Sequence, residues 1–167
     1  MSGEKVLVLN ATGKVGRNTC RALIEAGFEV YGTTRSHTSE LMKLGVNPVR
    51  CNYTDRADLD QALAETGAKK VFSITDYFLA AKSKPEIEIQ HGKNAIDAAK
   101  AARVDHFIFV SVVDAEFFNE HVKHIKTKIV IEDYLRKSTI PTQSYAQRHF
   151  LKTLTIPRIG TPSKKVL

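Results

Sequence analysis

The 167-residue sequence fits one domain with a full hydrophobic core, and it contains no apolar run of the roughly 18–20 residues that a membrane span requires. Its two cysteines, Cys20 and Cys51, are too few for a disulfide framework and suit a reducing compartment, so we expect the cytosol, with the nucleus as the alternative. The 25 basic and 18 acidic residues give a net charge of +7, but the positive charges are scattered. This distribution favours a solvated basic surface over a nucleic-acid footprint.

Short apolar and β-branched runs alternate along the chain with segments whose apolar residues recur at helical spacing. The first run is nearly unbroken, as expected of a parallel strand buried on both faces. Pro85 suits the first turn of a long helix. In chain order the pattern predicts strand 5–10, helix 15–26, strand 28–34, helix 39–44, strand 47–52, helix 58–66, strand 70–75, helix 85–103, strand 106–111, helix 126–137 and strand 142–145.

This alternation predicts right-handed βαβ units and therefore an α/β fold, a doubly wound parallel sheet of the Rossmann type with strand order 3-2-1-4-5-6. We assign residues 1–155 to one domain of that type. The last twelve residues, 156–167, contain two prolines, a glycine and two lysines, and we expect them to form a flexible basic tail.

A glycine-rich loop follows the first strand. It has the spacing G-x-x-G-x-x-G, with Asn10 in place of the first glycine. Small residues are needed here because backbone N–H groups must approach a pyrophosphate closely, and the following helix adds partial positive charge. Asparagine tolerates positive φ better than other non-glycine residues. The alternative is a tight strand–helix turn without a ligand. The residues predicted to bind phosphate are Asn10, Thr12, Gly13, Lys14, Val15 and Gly16.

The end of the second strand indicates which dinucleotide binds. An NAD site places a carboxylate there for the ribose 2′-hydroxyl, but this chain has none until Glu40. Arg35 can instead pair with a 2′-phosphate, with Ser36 as a hydroxyl donor and Lys14 as a second cation. The sequence therefore predicts NADP(H). The alternative for Arg35 is an ordinary exposed loop arginine.

Six segments of the chain point to a known family: residues 10–16, 33–35, 75–78, 91–102, 106–111 and 131–136. Together and in this order they resemble the NmrA-like family, an atypical branch of the short-chain dehydrogenase/reductase group, over residues 5 to 154. The resemblance implies NADP(H) binding. It also implies one of two roles, because some members reduce quinones or plant phenolics and others are regulators that sense NADP(H) or partner proteins.

The resemblance also assigns site residues. The family's reductases carry a lysine at the start of the helix before the sixth strand, and Lys128 matches it as a candidate catalytic residue. A salt bridge from Lys128 to Glu132, one turn further on, is the structural alternative. Along the cofactor, the resemblance places Asn52 and Tyr53 beside the adenine, and Thr75, Asp76, Tyr77, Phe78 and Ser111 beside the remainder.

Two departures from the family bear on function. Members run to about twice this length, so we expect most of the C-terminal substrate domain to be missing and the pocket to be open on one side. The Tyr-x-x-x-Lys pair of ordinary short-chain dehydrogenases is also absent, which removes the usual proton donor. His121 and His124 lack a third ligand at metal spacing, so we predict no metal site.

These features lead to three hypotheses. The first is an NADP(H)-binding redox sensor or regulator that acts through a protein partner, with little or no turnover. The second is a small NADPH-dependent reductase of the quinone or phenolic type that uses Lys128. The third is a degenerate Rossmann scaffold used only for protein association, motivated by Asn10 and the missing domain.

Overall fold

The computed structural model describes residues 3–36, 38–112 and 122–147, with side chains described up to residue 141. The predicted tail and His121 lie outside these residues. Helices and strands alternate through the described chain as the sequence predicts. In order they are β1 Lys5–Val8, α1 Lys14–Glu25, β2 Glu29–Thr34, α2 Thr38–Lys43, β3 Asn47–Arg50, α3 Arg56–Thr66, β4 Lys70–Ser73, α4 Pro85–Ala101, β5 His106–Val112, α5 Lys123–Lys137 and β6 Thr142–Gln147.

The strands form one six-stranded sheet in the order β3-β2-β1-β4-β5-β6, and every described pairing is parallel. The predicted Rossmann-type order is confirmed. Strand β1 is central, with Leu7 opposite Tyr31 of β2 and Val71 of β4. The chain therefore reverses its direction of travel across the sheet between β1 and β4, which is where ligands bind in open α/β sheets.

Helices cover both faces of the sheet, and the alternation of side chains along β1 divides the core between them. Leu7 and Leu9 pack in a cluster with α3, α4 and α5. Val6 and Val8 pack in a second cluster with α1 and α2. All four side chains are at most 4% exposed. Burial on both faces explains why the first strand reads as a continuous apolar run.

Several boundaries differ from the prediction for local reasons. Strand β1 ends at Val8 rather than at residue 10, because the chain turns at Asn10, whose φ is 54°. Helix α3 begins two residues early, since the side chain of Asp55 accepts hydrogen bonds from the amides of Ala57 and Asp58 and caps it. Helix α5 begins at Lys123 rather than at residue 126.

Helices α4 and α5 pack closely against one another. A Cβ added to Gly92 of α4 would lie only 2.7 Å from the Cδ1 and Cγ1 atoms of Ile131 on α5. Glycine is therefore required for this approach. The close contact lets side chains one turn away on each helix meet inside the protein.

Candidate functional site

A cleft of about 940 Å³ lies at the carboxyl ends of the strands, beside the reversal between β1 and β4. All the residues predicted to contact a cofactor line this cleft except Ser36, and Lys128 lines it too. The structure thus brings together residues from five separate loops. The sequence analysis missed other lining residues, among them Cys51, Ile74, Leu79, Lys82, Val110 and Val112.

The glycine-rich loop connects β1 to α1 at one side of the cleft. Asn10 adopts the left-handed conformation that the sequence predicted for it. The amide of Gly13 donates to the carbonyl of Asn10 at 3.1 Å. A Cβ at Gly16 would lie 2.2 Å from that same oxygen, so glycine is required for α1 to start this close to the loop. No side chain caps the N-terminus of α1, and its first turn has no acidic residue.

Arg17, on α1, connects this loop to the helix that follows β2. Its Nε donates to the carbonyl of Thr12 at 3.0 Å, and its guanidinium pairs with the carboxylate of Glu40 on α2. Glu40 is the first carboxylate after β2. The ion pair therefore supplies a positive counter-charge to it. The sequence analysis did not single out Arg17, because nothing local links residues 23 positions apart.

The end of β2 brings Arg35 to the cleft. Its side chain is exposed, and its charge acts on the phenol of Tyr53 from the end of β3. Thr33 holds β2 to the loop, since its Oγ1 accepts a hydrogen bond of 3.0 Å from the amide of Asn10. Ser36 follows Arg35, and its amide donates to Thr34 Oγ1 at 3.3 Å. Ser36 itself does not belong to the cleft lining, unlike the other predicted residues.

Asn52 and Tyr53 form the lining beyond β3. The amide of Asn52 donates to the Asp58 carboxylate at 2.8 Å, and its side-chain oxygen accepts from Thr54 Oγ1 at 2.8 Å. Burial, together with the negative charge of Asp76, raises the pKa of Tyr53 to about 12, while Arg35 acts in the opposite direction. The phenol therefore stays protonated at neutral pH.

The loop after β4 is fixed by its own hydrogen bonds. Asp76 Oδ1 accepts from the amides of Phe78 at 3.1 Å and Leu79 at 2.9 Å, and the hydroxyl of Tyr77 donates to the carbonyl of Ser83 at 2.9 Å. These contacts leave Phe78 and Leu79 exposed at the cleft edge, at 63% and 83%. His124, at the start of α5, has its ring centroid 5.5 Å from that of Phe78.

Lys128 reaches the cleft from α5 and is held by a buried network. Its ammonium donates to the carboxylate of Glu88 on α4 at 2.7 Å, to the carbonyl of Thr75 at 3.1 Å, and to Thr75 Oγ1. Glu88 is fully buried and also accepts from Thr75 Oγ1 at 2.7 Å and from Thr127 Oγ1. A lysine ammonium has three N–H donors, and all three are used here.

The environment of Lys128 has two opposing effects on its charge. Burial lowers the pKa of Lys128 below its ordinary value, while the Glu88 carboxylate and, more weakly, Asp76 oppose that shift. The alternative of a salt bridge to Glu132 is wrong, because Glu132 pairs with Arg136 at 2.9 Å. Neither Glu88 nor Thr127 was identified from the sequence. Acidic residues are common in the first turn of a helix, and their pattern gives no sign of burial.

Ser111, at the end of β5, is the last predicted residue of the lining. It is 4% exposed, and its Oγ has no hydrogen-bond partner in the described chain. A buried hydroxyl without a partner is costly. Its place on the cleft leaves it available to a ligand atom.

Two findings concern other classes of site. Among the residues the structure describes, no group of histidine, cysteine and carboxylate side chains is arranged to hold a metal ion. Likewise, none of the described helices is both long and apolar enough to cross a membrane.

Comparison with known proteins adds a family match. The model of the NmrA-like family matches residues 2–166. Among curated proteins, the photosystem II assembly factor Ycf39 of Guillardia theta is 28% identical over 155 residues, which are 89% of this chain and 48% of that protein. The chain therefore spans about half the length of that relative.

Two solved structures share the fold. An NADPH-dependent quinone oxidoreductase from Escherichia coli, complexed with NADPH, matches with a TM-score of 0.69 and 22% identity, over 83% of this chain and 47% of that one. A triphenylmethane reductase from Citrobacter, complexed with NADP(H), matches with a TM-score of 0.71 and 21% identity, over 84% and 48%. At this identity the likeness establishes the common fold.

Proposed function

The chain belongs to the NmrA-like family, and we propose that it binds NADP(H) in the cleft and reports the state of that cofactor to a protein partner, with little or no turnover. The observation that carries the proposal is the convergence of the predicted cofactor residues on one cleft at the strand-order reversal. The assembly role named for the Guillardia relative supports action through a partner protein.

The residues present fit the phosphates of a dinucleotide. Gly16 has no room for a Cβ, which brings the uncapped N-terminus of α1 to the cleft. Free first-turn amides and the helix dipole together favour an anion at this point. Ser111 offers a buried hydroxyl without a protein partner at the opposite side of the reversal. Both features gain hydrogen bonds when a ligand fills the cleft.

The charges after β2 favour a 2′-phosphate over a free 2′-hydroxyl. Arg35 is exposed and lines the cleft, so it can donate charge-assisted hydrogen bonds to a phosphate. Glu40, the nearest following carboxylate, is paired with Arg17. The cleft edge therefore presents a cation whose closest acidic competitor is already engaged.

Calorimetric titration of the parent with NADPH and NADH tests this function. We expect NADPH to bind more tightly. We also expect Gly13→Glu to abolish binding of both, because a carboxylate at the helix N-terminus repels the phosphates while the exposed loop leaves the core intact. Far-ultraviolet circular dichroism of the variant checks its fold. If the parent binds neither dinucleotide, the cofactor assignment is wrong and the scaffold hypothesis takes its place.

A reductase is the second candidate, and the position of Lys128 on the cleft favours it. When bound, NADPH supplies a hydride, so the chain must deliver a proton. Lys128 is the one predicted donor, yet its three N–H groups already bind Glu88 and Thr75. Donation to a substrate therefore requires one of these bonds to break.

A screen of NADPH oxidation against quinones and carbonyl compounds separates the two functions. The sensor proposal expects slow or absent turnover in both the parent and Lys128→Met. Brisk turnover that is lost in Lys128→Met would establish the reductase. For the compartment we propose the cytosol, since both cysteines are buried and unpaired, as in proteins of reducing environments.

A further inference from the structure

The buried pair of Glu88 and Lys128 has a fixed direction relative to the cleft. Lys128 lines the cleft, whereas Glu88 is fully buried behind it and is not part of the lining. Their nitrogen and oxygen atoms are 2.7 Å apart. The pair is thus a local dipole whose positive end points to the ligand.

Both charges are held in place. Hydrogen bonds from Lys128, Thr75 and Thr127 satisfy the Glu88 carboxylate, and the Lys128 ammonium is fixed by Glu88 and Thr75. The ammonium also lies 5.6 Å from the centre of the Phe109 ring on β5. Because the groups are already ordered, the field at the cleft requires no rearrangement when a ligand binds.

The pair lies at the nicotinamide side of the proposed site. In doubly wound sheets the two halves of a dinucleotide lie on either side of the strand-order reversal, with the pyrophosphate at the first helix. Arg35 and Tyr53 line the side of β2 and β3. The other half of the ligand must then lie over β4 and β5, where Thr75, Ser111 and Lys128 line the cleft.

The oxidised and reduced forms of the cofactor differ chiefly in charge at that end. The nicotinamide ring is cationic when oxidised and neutral when reduced, and the remainder of the molecule is the same. We propose that the Lys128–Glu88 pair makes the site bind NADPH in preference to NADP⁺, because its positive end repels the cationic ring. This inference rests on the proposed function and supplies the property that a redox sensor needs.

Other charged groups around the pair act more weakly or point elsewhere. Asp76 also lines the cleft and has the opposite sign, but its Oδ1 is turned to the amides of Phe78 and Leu79. Lys82 lines the cleft as an exposed cation, where water screens it. On α4, His91 lies one turn after Glu88, on the side away from the cleft lining. The least screened charge on the lining is therefore that of Lys128.

The test compares the ratio of the dissociation constants for NADP⁺ and NADPH, measured by calorimetry. The variant is the double replacement Glu88→Gln with Lys128→Met. It removes both charges at once, because removing one alone would leave the other buried and uncompensated. The matched control is Glu132→Gln with Arg136→Met, which makes the same two changes in an ion pair on α5 outside the cleft.

We expect the parent to bind NADPH more tightly, and the double variant to lower the ratio by about tenfold, or 1.4 kcal/mol, while the control keeps the parental ratio. A purely structural role of the pair would weaken both forms equally and leave the ratio unchanged, which overturns the inference and spares the proposed function. Equal affinities in the parent overturn it without any variant. No binding of either form by the parent overturns both.

Discussion

The buried ion pair also makes a prediction about stability. Glu88→Gln keeps the shape of the side chain but leaves the Lys128 ammonium, which is 9% exposed, without a counter-charge. Breaking a buried pair in this way costs about 3–5 kcal/mol, a large share of a typical total of roughly 5–15 kcal/mol. At about 2–4 °C per kcal/mol for a chain of this size, the melting temperature should fall by roughly 6–20 °C.

Thermal unfolding of four proteins, followed by circular dichroism at pH 7, measures this cost. They are the parent, Glu88→Gln, Lys128→Met and the double variant. The double variant should lose less stability than the two single variants summed, because neither charge is then left unpaired. The surface pair of Glu132 and Arg136, with Arg136 exposed, serves as the control and should cost only about 0–1 kcal/mol. A Glu88→Gln variant that melts within about 2 °C of the parent, or strict additivity, would refute the reasoning.

Three further predictions follow from individual residues. Arg35→Met should weaken NADPH binding by about tenfold or more and leave NADH binding unchanged, since a charge-assisted hydrogen bond contributes about 1.5–3 kcal/mol; equal losses for both cofactors in calorimetry would show that Arg35 does not contact a 2′-phosphate. Burial raises the pKa of both the Cys20 and the Cys51 thiol to about 12. Neither should react rapidly with Ellman's reagent at pH 8 in the folded protein, although both should react in denaturant, and a fast native thiol would contradict this. Burial lowers the pKa of His91 and of His106 below 6.5, so the unfolded chain binds more protons than the folded chain in that range. The melting temperature should therefore fall as the pH drops below about 6.5, and asparagine at both positions should reduce the slope; a slope equal to the parent's would count against these two groups.

Much of the fold was predictable because its determinants are local. Strands buried on both faces read as continuous apolar runs, and helices carry their own spacing and end signals. Asn10 and Gly16 were interpreted correctly, since a left-handed turn and a close backbone approach each restrict the residue type directly. The boundaries were less accurate. The capping side chain of Asp55 lengthened α3 and the turn at Asn10 shortened β1, and both effects act within a few residues.

The sequence by itself determined the βαβ order, the position of the phosphate loop and the absence of a carboxylate directly after β2. Only the tertiary structure decided the partner of Lys128. Helical spacing offered Glu132, four residues away, but packing of α4 on α5 supplied Glu88, forty residues away. It likewise paired Glu40 with Arg17 and left Ser36 outside the cleft lining. The physical reason is that a buried charge takes its counter-charge from whichever element packs against it, and that neighbour is set by the path of the whole chain rather than by local spacing.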